Sequence, residues 1–264
     1  MKPDPSTPNL GPFQVVIPAR YASSRLPGKP LAEINGLPMV SWVVRAAEQS
    51  GAARVLVATD DERVADKVKE SGGKAVMTGA DHTSGTDRLA EVADQMGWDN
   101  DTLIVNVQGD EPGMPPALIN QVAALLQAHP EAGVASLYTS IDSVKEWQNP
   151  NAVKVVTDQK GRALYFSRAA IPHDRDNNGQ TNGEPLGKRH IGIYAYRVSA
   201  LREFVAWSPT PLEELEKLEQ LRFMEQGIRI AMAEAILPPP TGVDTPEDLE
   251  LVRRSLGQGT PEDS

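Results

Sequence analysis

Three basic residues lie close together after the first apolar run of the sequence. Arg20, Arg25 and Lys29 fall within PARYASSRLPGKPL, residues 18–31, which also contains Gly28 and which we call the cation loop. Small residues and glycine let backbone N–H groups approach a ligand, and arginine and lysine neutralise phosphate oxygens. The loop matches neither a Walker A sequence nor GxGxxG. It is typical of a polyphosphate cradle, and the alternative is a solvated surface loop.

Two aspartates stand where a hard cation could bind. Asp110 follows Gly109 at the end of an apolar run, in NVQGDEP, and Asp244 lies in GVDTP. Mg²⁺ is bound in proteins by one or two carboxylates together with substrate phosphates. Asp110 is therefore the first candidate ligand and Asp244 the second. The alternatives are a turn residue for Asp110 and a helix-cap neighbour for Asp244.

A third polar segment opens a predicted helix. Ser84, Gly85 and Thr86 precede Arg88 in the stretch DHTSGTDR. Hydroxyl groups and free N–H groups at a helix N-terminus can bind a ligand. An ordinary helix cap, with Arg88 as a first-turn charge, explains the same pattern.

The elements that must position these residues alternate through the first half of the chain. Short apolar runs predict strands, and apolar residues at helical spacing predict the helices between them. The strands are expected at residues 15–17, 55–58, 75–77, 103–107 and 133–138, and the helices at 60–71, 85–96, 115–128 and from Pro38 towards Gly51. This alternation predicts β-α-β units and a mostly parallel sheet.

The pattern changes after residue 140. Two runs, 153–157 and 163–167, flank the sequence DQKG, which predicts a hairpin. Beyond a long loop at 171–188, the expected elements are a strand at 190–197, helices at 199–205 and 213–226, a strand at 228–232 and a last helix at 246–256 capped by Thr245. The predicted organisation is a flexible tail at 1–12, one domain at 13–256 with an insertion at about 141–212, and a flexible tail at 257–264.

Composition excludes several classes of protein. The 264 residues carry a net charge of −10 and contain no cysteine. Disulfides, thiolate metal sites and cysteine nucleophiles are therefore absent, and an acidic chain does not have the basic footprint of a nucleic-acid binder. Residues 113–130 are uncharged but contain prolines and amides, so they predict an amphipathic helix rather than a membrane span. The first twelve residues lack the apolar core of a signal peptide. We expect a cytoplasmic protein with no nucleic-acid or membrane partner.

The cation loop resembles the signature loop of the sugar nucleotidyltransferases, most closely that of the CMP-Kdo synthetases, which act on 3-deoxy-manno-octulosonate (Kdo). Seven more stretches agree with that family, in order, over roughly residues 13–256: ADHTSGTDR, NVQGDEP, NPNAVKV, ALYFSR, HIGIY, LEQLR and GVDTPEDL. The resemblance implies an α/β, Rossmann-like nucleotidyltransferase fold, with a mostly parallel central sheet and a hairpin-containing insertion.

The same resemblance implies a reaction. CMP would pass from CTP to the anomeric hydroxyl of Kdo, with release of pyrophosphate, and so activate Kdo for lipopolysaccharide biosynthesis. Enzyme alternatives use another acceptor, such as 8-amino-Kdo, a sialic acid or methylerythritol phosphate. The non-enzyme alternative is a nucleotide-sensing or scaffold protein on the same fold. A homodimer built through the insertion is expected.

The resemblance further implies a role for each candidate residue. The expected catalytic residues are Lys29, Arg20, Asp110 and Asp244, of which the two aspartates hold Mg²⁺. The expected nucleotide-binding residues are Arg20, Ser24, Arg25, Lys29, Ser84, Gly85, Thr86 and Arg88. The expected Kdo-binding residues are Gln108, Arg168, His190 and Tyr194, with Glu213 and Gln220 as weaker candidates that share one helix face. The alternative for His190 is a satisfied core histidine, and for Tyr194 a core or dimer-contact aromatic residue.

Overall fold

The computed structural model describes residues 10–22, 26–82, 84–176, 186–240 and 242–257. A nine-stranded sheet forms its centre. Seven strands follow one another across it, in the spatial order β11 (Ile230–Glu234), β7 (Val134–Ile141), β10 (Gly187–Arg197), β6 (Leu103–Asn106), β1 (Gln14–Pro18), β4 (Arg54–Thr59) and β5 (Ala75–Met77). Strand β10 runs antiparallel to both neighbours, and the other pairs along this path are parallel.

Four further strands complete the pairing. The hairpin of β8 (Lys154–Thr157) and β9 (Ala163–Ser167) extends the sheet from β10. A separate two-residue pair, β2 (Glu33–Ile34) and β3 (Leu37–Pro38), follows the cation loop. The predicted hairpin around residues 158–161 is confirmed.

The helices of the described ranges cover both faces of the sheet. They are α1 (Met39–Glu48), α2 (Glu62–Glu70), α3 (Gly85–Gln95), α4 (Pro116–Ala128), α5 (Val144–Gln148), α6 (Val198–Ala206), α7 (Pro211–Glu216), α8 (Gln220–Glu225) and α9 (Pro246–Gly257), with a 3-10 turn at Lys29–Leu31. One core cluster joins Val15 and Ile17 of β1 to α1 and α4, and a second joins Val16 to α3 and α6. A strand buried on both faces is typical of a parallel sheet in an α/β fold, and the predicted fold class is confirmed.

The strand order fixes where a ligand can enter. Strand β1 is the first strand of the chain, and it lies between β4 and β6. The connection that leaves β1 therefore runs towards β4 and the connection that leaves β6 runs towards β7, in opposite directions along the sheet. In open α/β sheets the crevice at such a switch point, beyond the carboxyl ends of the strands, is where ligands bind.

The predicted helix at residues 213–226 is wrong, because the structure divides it into α7 and α8. Lys217 lies between them in the left-handed region, with φ 52°. Arg168 stabilises this break, since its Nε donates to the carbonyl of Glu216 at 2.7 Å and its Nη2 to the carbonyl of Lys217 at 3.3 Å. A contact from a distant strand thus interrupts a continuous helical pattern.

The predicted insertion contains two kinds of structure. The short helix α5, capped by Ser143, and the β8–β9 hairpin extend beyond the central strands. Strand β10 and helix α6, by contrast, belong to the central sheet and to one of its core clusters. Sequence analysis did not predict α5, which is only five residues long.

The predicted N-terminal tail ends too late, because Leu10 and Gly11 already contact the folded domain. Both backbone groups of Gly11 bind the side chain of Gln127, with its N–H at 3.1 Å and its carbonyl at 2.9 Å, and Leu10 packs against the core. Residues 1–9 lie outside the described residues, as do 258–264 of the predicted C-terminal tail.

We expect removal of residues 10–12 to cost stability. A chain that begins at Phe13 should melt about 2–6 °C below a chain that begins at Leu10, because two hydrogen bonds and an apolar contact are lost. Thermal unfolding of the two truncations measures this. Gln127→Ala in the longer truncation should reproduce most of the loss, and equal melting temperatures would contradict the contact's importance.

Candidate active site

The centre of the crevice is a lysine held between two aspartates. Lys29 Nζ lies 2.6 Å from Asp110 Oδ2 and 3.2 Å from Asp244 Oδ1. The lysine side chain is 13% exposed, whereas the aspartates are 37% and 50% exposed. Both carboxylates therefore converge on one cationic point and remain open to solvent on another side.

Backbone contacts create this convergence. Gly109 passes so close to β1 that a Cβ there would lie 2.8 Å from the carbonyl oxygen of Pro18. The N–H of Val243 donates to the carbonyl of Asp110 at 2.9 Å, which ties the two aspartate-bearing loops together. The Asp244 N–H donates to Asp248 Oδ2 at 3.1 Å, so α9 begins directly behind the site.

A cleft of about 300 Å³ opens over these groups. It is lined by Pro18, Ala19, Arg20, Ala22, Lys29, Pro30, Gln108, Gly109, Asp110 and Asp244. Five predicted site residues, Arg20, Lys29, Gln108, Asp110 and Asp244, thus lie around one cavity at the switch point. Ser24 and Arg25, which were predicted to bind the nucleotide, lie outside the described residues.

Arg20 connects the cation loop to the segment before α3. Its Nη2 donates to the carbonyl of His82, whose ring contacts Glu91. Glu91 also accepts a hydrogen bond from the N–H of Gly79 at 2.8 Å. The segment before α3 is therefore fixed beside the cleft.

The predicted nucleotide-binding side chains at the start of α3 have internal partners. Ser84 caps the helix, since its hydroxyl accepts from the Asp87 N–H at 3.1 Å. Arg88 is fully buried and donates to Thr78 and, at 3.2 Å, to Asp60. The helix-cap alternative therefore describes the geometry of Ser84, and the nucleotide-binding roles of both residues stay predictions.

Gly85 lies beside Pro18, which lines the cleft, and Thr86 follows it in the buried first turn of α3. A Cβ on Gly85 would stand 3.6 Å from the Pro18 ring. Thr86 is buried, and its hydroxyl hydrogen-bonds with Tyr196 and Glu219. The first turn of α3 is thus packed against the end of β1.

An aromatic row follows β10 away from the cleft. The His190 ring lies 5.0 Å from Phe166 and 5.2 Å from Tyr194, and Tyr194 lies 5.6 Å from Tyr196. His190 and Tyr194 therefore share a face, as predicted. Enclosure lowers the pKa of His190 to about 3 and raises the pKa of Tyr194, so both side chains are neutral near pH 7.

Ser136 sets the proton position on His190. Its Oγ lies 2.9 Å from His190 Nε2, and it donates to the carbonyl of Ile193 at 2.8 Å. Because the hydroxyl proton is used on that carbonyl, Nε2 carries the imidazole proton and Nδ1 is the acceptor. His190 also borders a second cleft of about 570 Å³, together with Glu111.

Comparison with known proteins identifies the family of this chain. Residues 14–230 match the profile of the family described as Cytidylyltransferase. The chain is 56% identical to the 3-deoxy-manno-octulosonate cytidylyltransferase of Pseudomonas fluorescens, over 92% of this chain and 98% of the relative. It is 57% identical to the enzyme of the same name from Vibrio vulnificus, over 92% and 98% of the two chains. This chain belongs to the 3-deoxy-manno-octulosonate cytidylyltransferase family.

Two solved structures have the same fold as this chain. A CMP:2-keto-3-deoxy-manno-octonic acid synthetase complexed with CTP superposes with a TM-score of 0.87 at 43% identity, over 95% of this chain and 100% of the other. A cytidylyltransferase from Leptospira borgpetersenii, at 16% identity and a TM-score of 0.62 over 94% and 88% of the chains, shares the fold alone. No helix in the described parts of the cytidylyltransferase has the length and apolar run needed to cross a membrane.

Four predicted acceptor residues of the cytidylyltransferase line neither cleft described above: Arg168, Tyr194, Glu213 and Gln220. Arg168 is engaged by main-chain carbonyls at the α7–α8 break and, through Nη1, by the carbonyl of Pro150 at 3.0 Å. Glu213 forms a mostly buried ion pair with Arg222 at 2.6 Å, and Gln220 is 6% exposed. The expectation that Glu213 and Gln220 share a helix face is wrong, because they lie on α7 and α8.

Two carboxyl groups with raised pKa values were not among the predicted site residues. Glu111, beside Asp110, has a buried Oε2 with no hydrogen bond among the described residues, and burial raises its pKa to about 8. Burial also raises the pKa of Glu219, beside Thr86, to about 7. Glu111 lies in the motif NVQGDEP, in which the preceding residue, Asp110, was predicted to bind the metal. Glu219 is in LEQLR, but a continuous helix would have directed it away from the face of Gln220.

Glu219 gives this cytidylyltransferase a pH-dependent stability. Its pKa in the folded state, about 7, exceeds the ordinary value of 4.5, so the folded state binds more protons between these values. This stabilisation is complete below about pH 4.5 and is lost as the pH rises through about 7. Glu219→Gln should therefore raise the melting temperature at pH 8 and leave it nearly unchanged at pH 5. An equal change in melting temperature at both pH values would contradict the raised pKa of Glu219.

Proposed function

We propose that this cytidylyltransferase transfers CMP from CTP to the anomeric hydroxyl of Kdo, with release of pyrophosphate, and so activates Kdo for lipopolysaccharide biosynthesis. The observation that carries the proposal is the convergence of Lys29, Asp110 and Asp244 at the switch point of the sheet. The names of the close relatives and the CTP complex of a structural relative support the nucleotide and the acceptor.

The nucleotide side of the reaction requires positive charge. Lys29 and Arg20 line the same cleft and would neutralise the triphosphate as pyrophosphate leaves. Gly109 keeps the β6 loop against Pro18, so the phosphates can lie close to backbone as well as to these side chains. Catalysis then depends mainly on positioning and on charge neutralisation.

The two aspartates suit a divalent cation. Their oxygens already meet at one cationic nitrogen, and their partial exposure leaves room for phosphate oxygens as further ligands. The described residues contain no cluster of three or more His, Cys, Asp or Glu side chains suited to a metal, and Mg²⁺ commonly uses only one or two carboxylates. Asp110 and Asp244 would hold Mg²⁺, which when bound supplies Lewis-acid stabilisation of phosphate charge.

The acceptor side would be built around Gln108 and the β10 residues. Gln108 lies in the nucleotide cleft two residues from Asp110. His190 and Tyr194 are neutral, so they would bind hydroxyl groups of Kdo as hydrogen-bond partners rather than as charges. The anomeric hydroxyl attacks the α-phosphorus in line, and the bond to pyrophosphate breaks.

Pyrophosphate release tests the proposal directly. The protein is incubated with Mg²⁺ and CTP, and with Kdo, 8-amino-Kdo or a sialic acid as acceptor. Kdo should give the highest kcat/KM, and omission of the acceptor should abolish release. A higher kcat/KM with another ulosonic acid would identify that acid as the acceptor. Absence of pyrophosphate release with every acceptor would overturn the proposed function. Replacement of CTP by ATP or GTP is the control for the nucleotide.

We further propose that the enzyme acts in the cytoplasm as a homodimer. CTP is a cytoplasmic substrate, and the absence of cysteine fits a reducing compartment. Leu164 on β9 is 59% exposed, so the hairpin carries an apolar side chain that a second copy could cover. Light scattering of the purified protein gives the mass, and Leu164→Glu should shift it towards the monomer.

A further inference from the structure

The cation loop is closed on itself by Tyr21. The N–H of Gly28 donates to the carbonyl of Tyr21 at 3.2 Å, and Gly28 has φ 68°, in the left-handed region that favours glycine. A Cβ at Gly28 would lie 3.3 Å from Tyr21 Cζ and Oη, so the phenol ring lies directly against the backbone that precedes Lys29. The ring thus forms one wall of the turn that presents the lysine.

Arg63 stacks on the same ring. Its guanidinium carbon stands 3.5 Å from the centre of the Tyr21 ring. The guanidinium donates two hydrogen bonds to Asp61, from Nε to Oδ1 at 2.9 Å and from Nη2 to Oδ2 at 2.6 Å. Asp61 is the N-cap of α2 and accepts from the Arg63 N–H at 3.0 Å. A continuous stack therefore joins Gly28, Tyr21, Arg63 and Asp61 to the first turn of a helix.

Both ions of this stack are secured by their pairing. The hydrogen bonds from Arg63 lower the pKa of Asp61, and Asp61 raises the pKa of Arg63. The Arg63 side chain is nevertheless 61% exposed, so its pairing adds little to folding stability. Because the well-defined contacts of Arg63 contribute little to folding stability, we interpret them as contacts that position the neighbouring cation loop.

We propose that Tyr21 and Arg63 are positioning residues for nucleotide binding, which hold the Gly28–Lys29 turn so that Lys29 Nζ faces the triphosphate. The inference rests on the proposed function, because it takes CTP as the ligand of Lys29. Neither residue lines the cleft among the described residues, so both act through the loop backbone. Displacement of the turn would weaken CTP binding while the acceptor side, on β10, stays intact.

Steady-state kinetics and CTP titration test this role in the full-length protein. Tyr21→Leu, which removes the ring, should raise the KM for CTP about ten-fold. Arg63→Gln should raise it about two- to five-fold, the range of an exposed cation–π contact. The KM for Kdo should change little, and Tyr21→Phe should restore the wild-type KM because it keeps the ring. The melting temperature should stay unchanged in Arg63→Gln and fall only modestly in Tyr21→Leu, since the Tyr21 ring also packs against the core.

The double variant separates positioning from independent binding. Tyr21→Leu with Arg63→Gln should be no worse than Tyr21→Leu alone, since Arg63 acts through the ring. Additive losses, or equal increases in the KM for CTP and for Kdo, would overturn the proposal. Calorimetric titration of the wild type with CTP alone distinguishes the two levels. No CTP binding by the wild type rejects the proposed function, whereas equal CTP binding by wild type and Tyr21→Leu rejects only the positioning role.

Discussion

Asp110→Asn should lower the rate of CMP transfer by about 10²–10³-fold, and Asp244→Asn should do the same, because each removes one of two charges that meet at a single cationic point. The melting temperature should hardly change. In the free protein Lys29 retains the remaining aspartate as a partner, so neither variant leaves an isolated charge. The kcat for pyrophosphate release and a thermal unfolding curve measure the two effects.

The double variant provides the sharper comparison. Asp110→Asn with Asp244→Asn should be hardly slower than either single variant if both carboxylates act through one bound ion. Glu247→Gln, an exposed carboxylate in the first turn of α9, is the matched control and should retain full activity. Multiplicative losses in the double variant, or undiminished turnover in the presence of a chelator, would rule out a shared ion.

Lys29→Met should also slow CMP transfer by about 10²–10³-fold, since it removes charge that faces the leaving pyrophosphate. It has a second expected effect that the aspartate variants lack. The Asp110 and Asp244 carboxylates would repel each other without the ammonium between them, so the melting temperature should fall. Added Mg²⁺ without nucleotide should restore part of that loss, because the ion can occupy the position that the ammonium left.

The wild type is the comparison for this effect. Mg²⁺ alone should raise its melting temperature less than that of Lys29→Met, since Lys29 already neutralises both carboxylates. Lys29→Arg keeps the positive charge and should show the smaller, wild-type-like response to Mg²⁺. An equal response in wild type and Lys29→Met would show that the lysine does not compete with the ion.

Local patterns predicted the parts of the fold that local physics controls. The run at residues 75–77 and the run at 163–167 are the observed strands β5 and β9, because short apolar runs bounded by turn residues specify them within a few positions. The spacing also indicated the cation loop and the two aspartates. Their meeting depends on strand order and on the close approach of Gly109 to Pro18, which no local pattern contains.

The wrong predictions share a cause, which is a contact between distant parts of the chain. Lys217 adopts a left-handed conformation because Arg168, at the end of another strand, binds the adjacent carbonyls. Gly11 is held in place because Gln127, on α4, satisfies its backbone. Neither the proline-rich N-terminal sequence nor the helical pattern of residues 213–226 indicates these distant partners.

The reversed direction of β10 has a consequence for how the chain between β7 and β10 can vary. Because β7 and β10 are antiparallel neighbours, the chain leaves β7 at Ile141 and enters β10 at Gly187, which is paired with Ile141. The segment between these two residues therefore starts and ends at paired positions on neighbouring strands. Changes of length or sequence there need not alter β1 and β6, which are followed by loops that carry the cleft residues Arg20, Lys29 and Asp110. An exchange of this segment between relatives should therefore leave the strands in place and the preference for CTP unchanged.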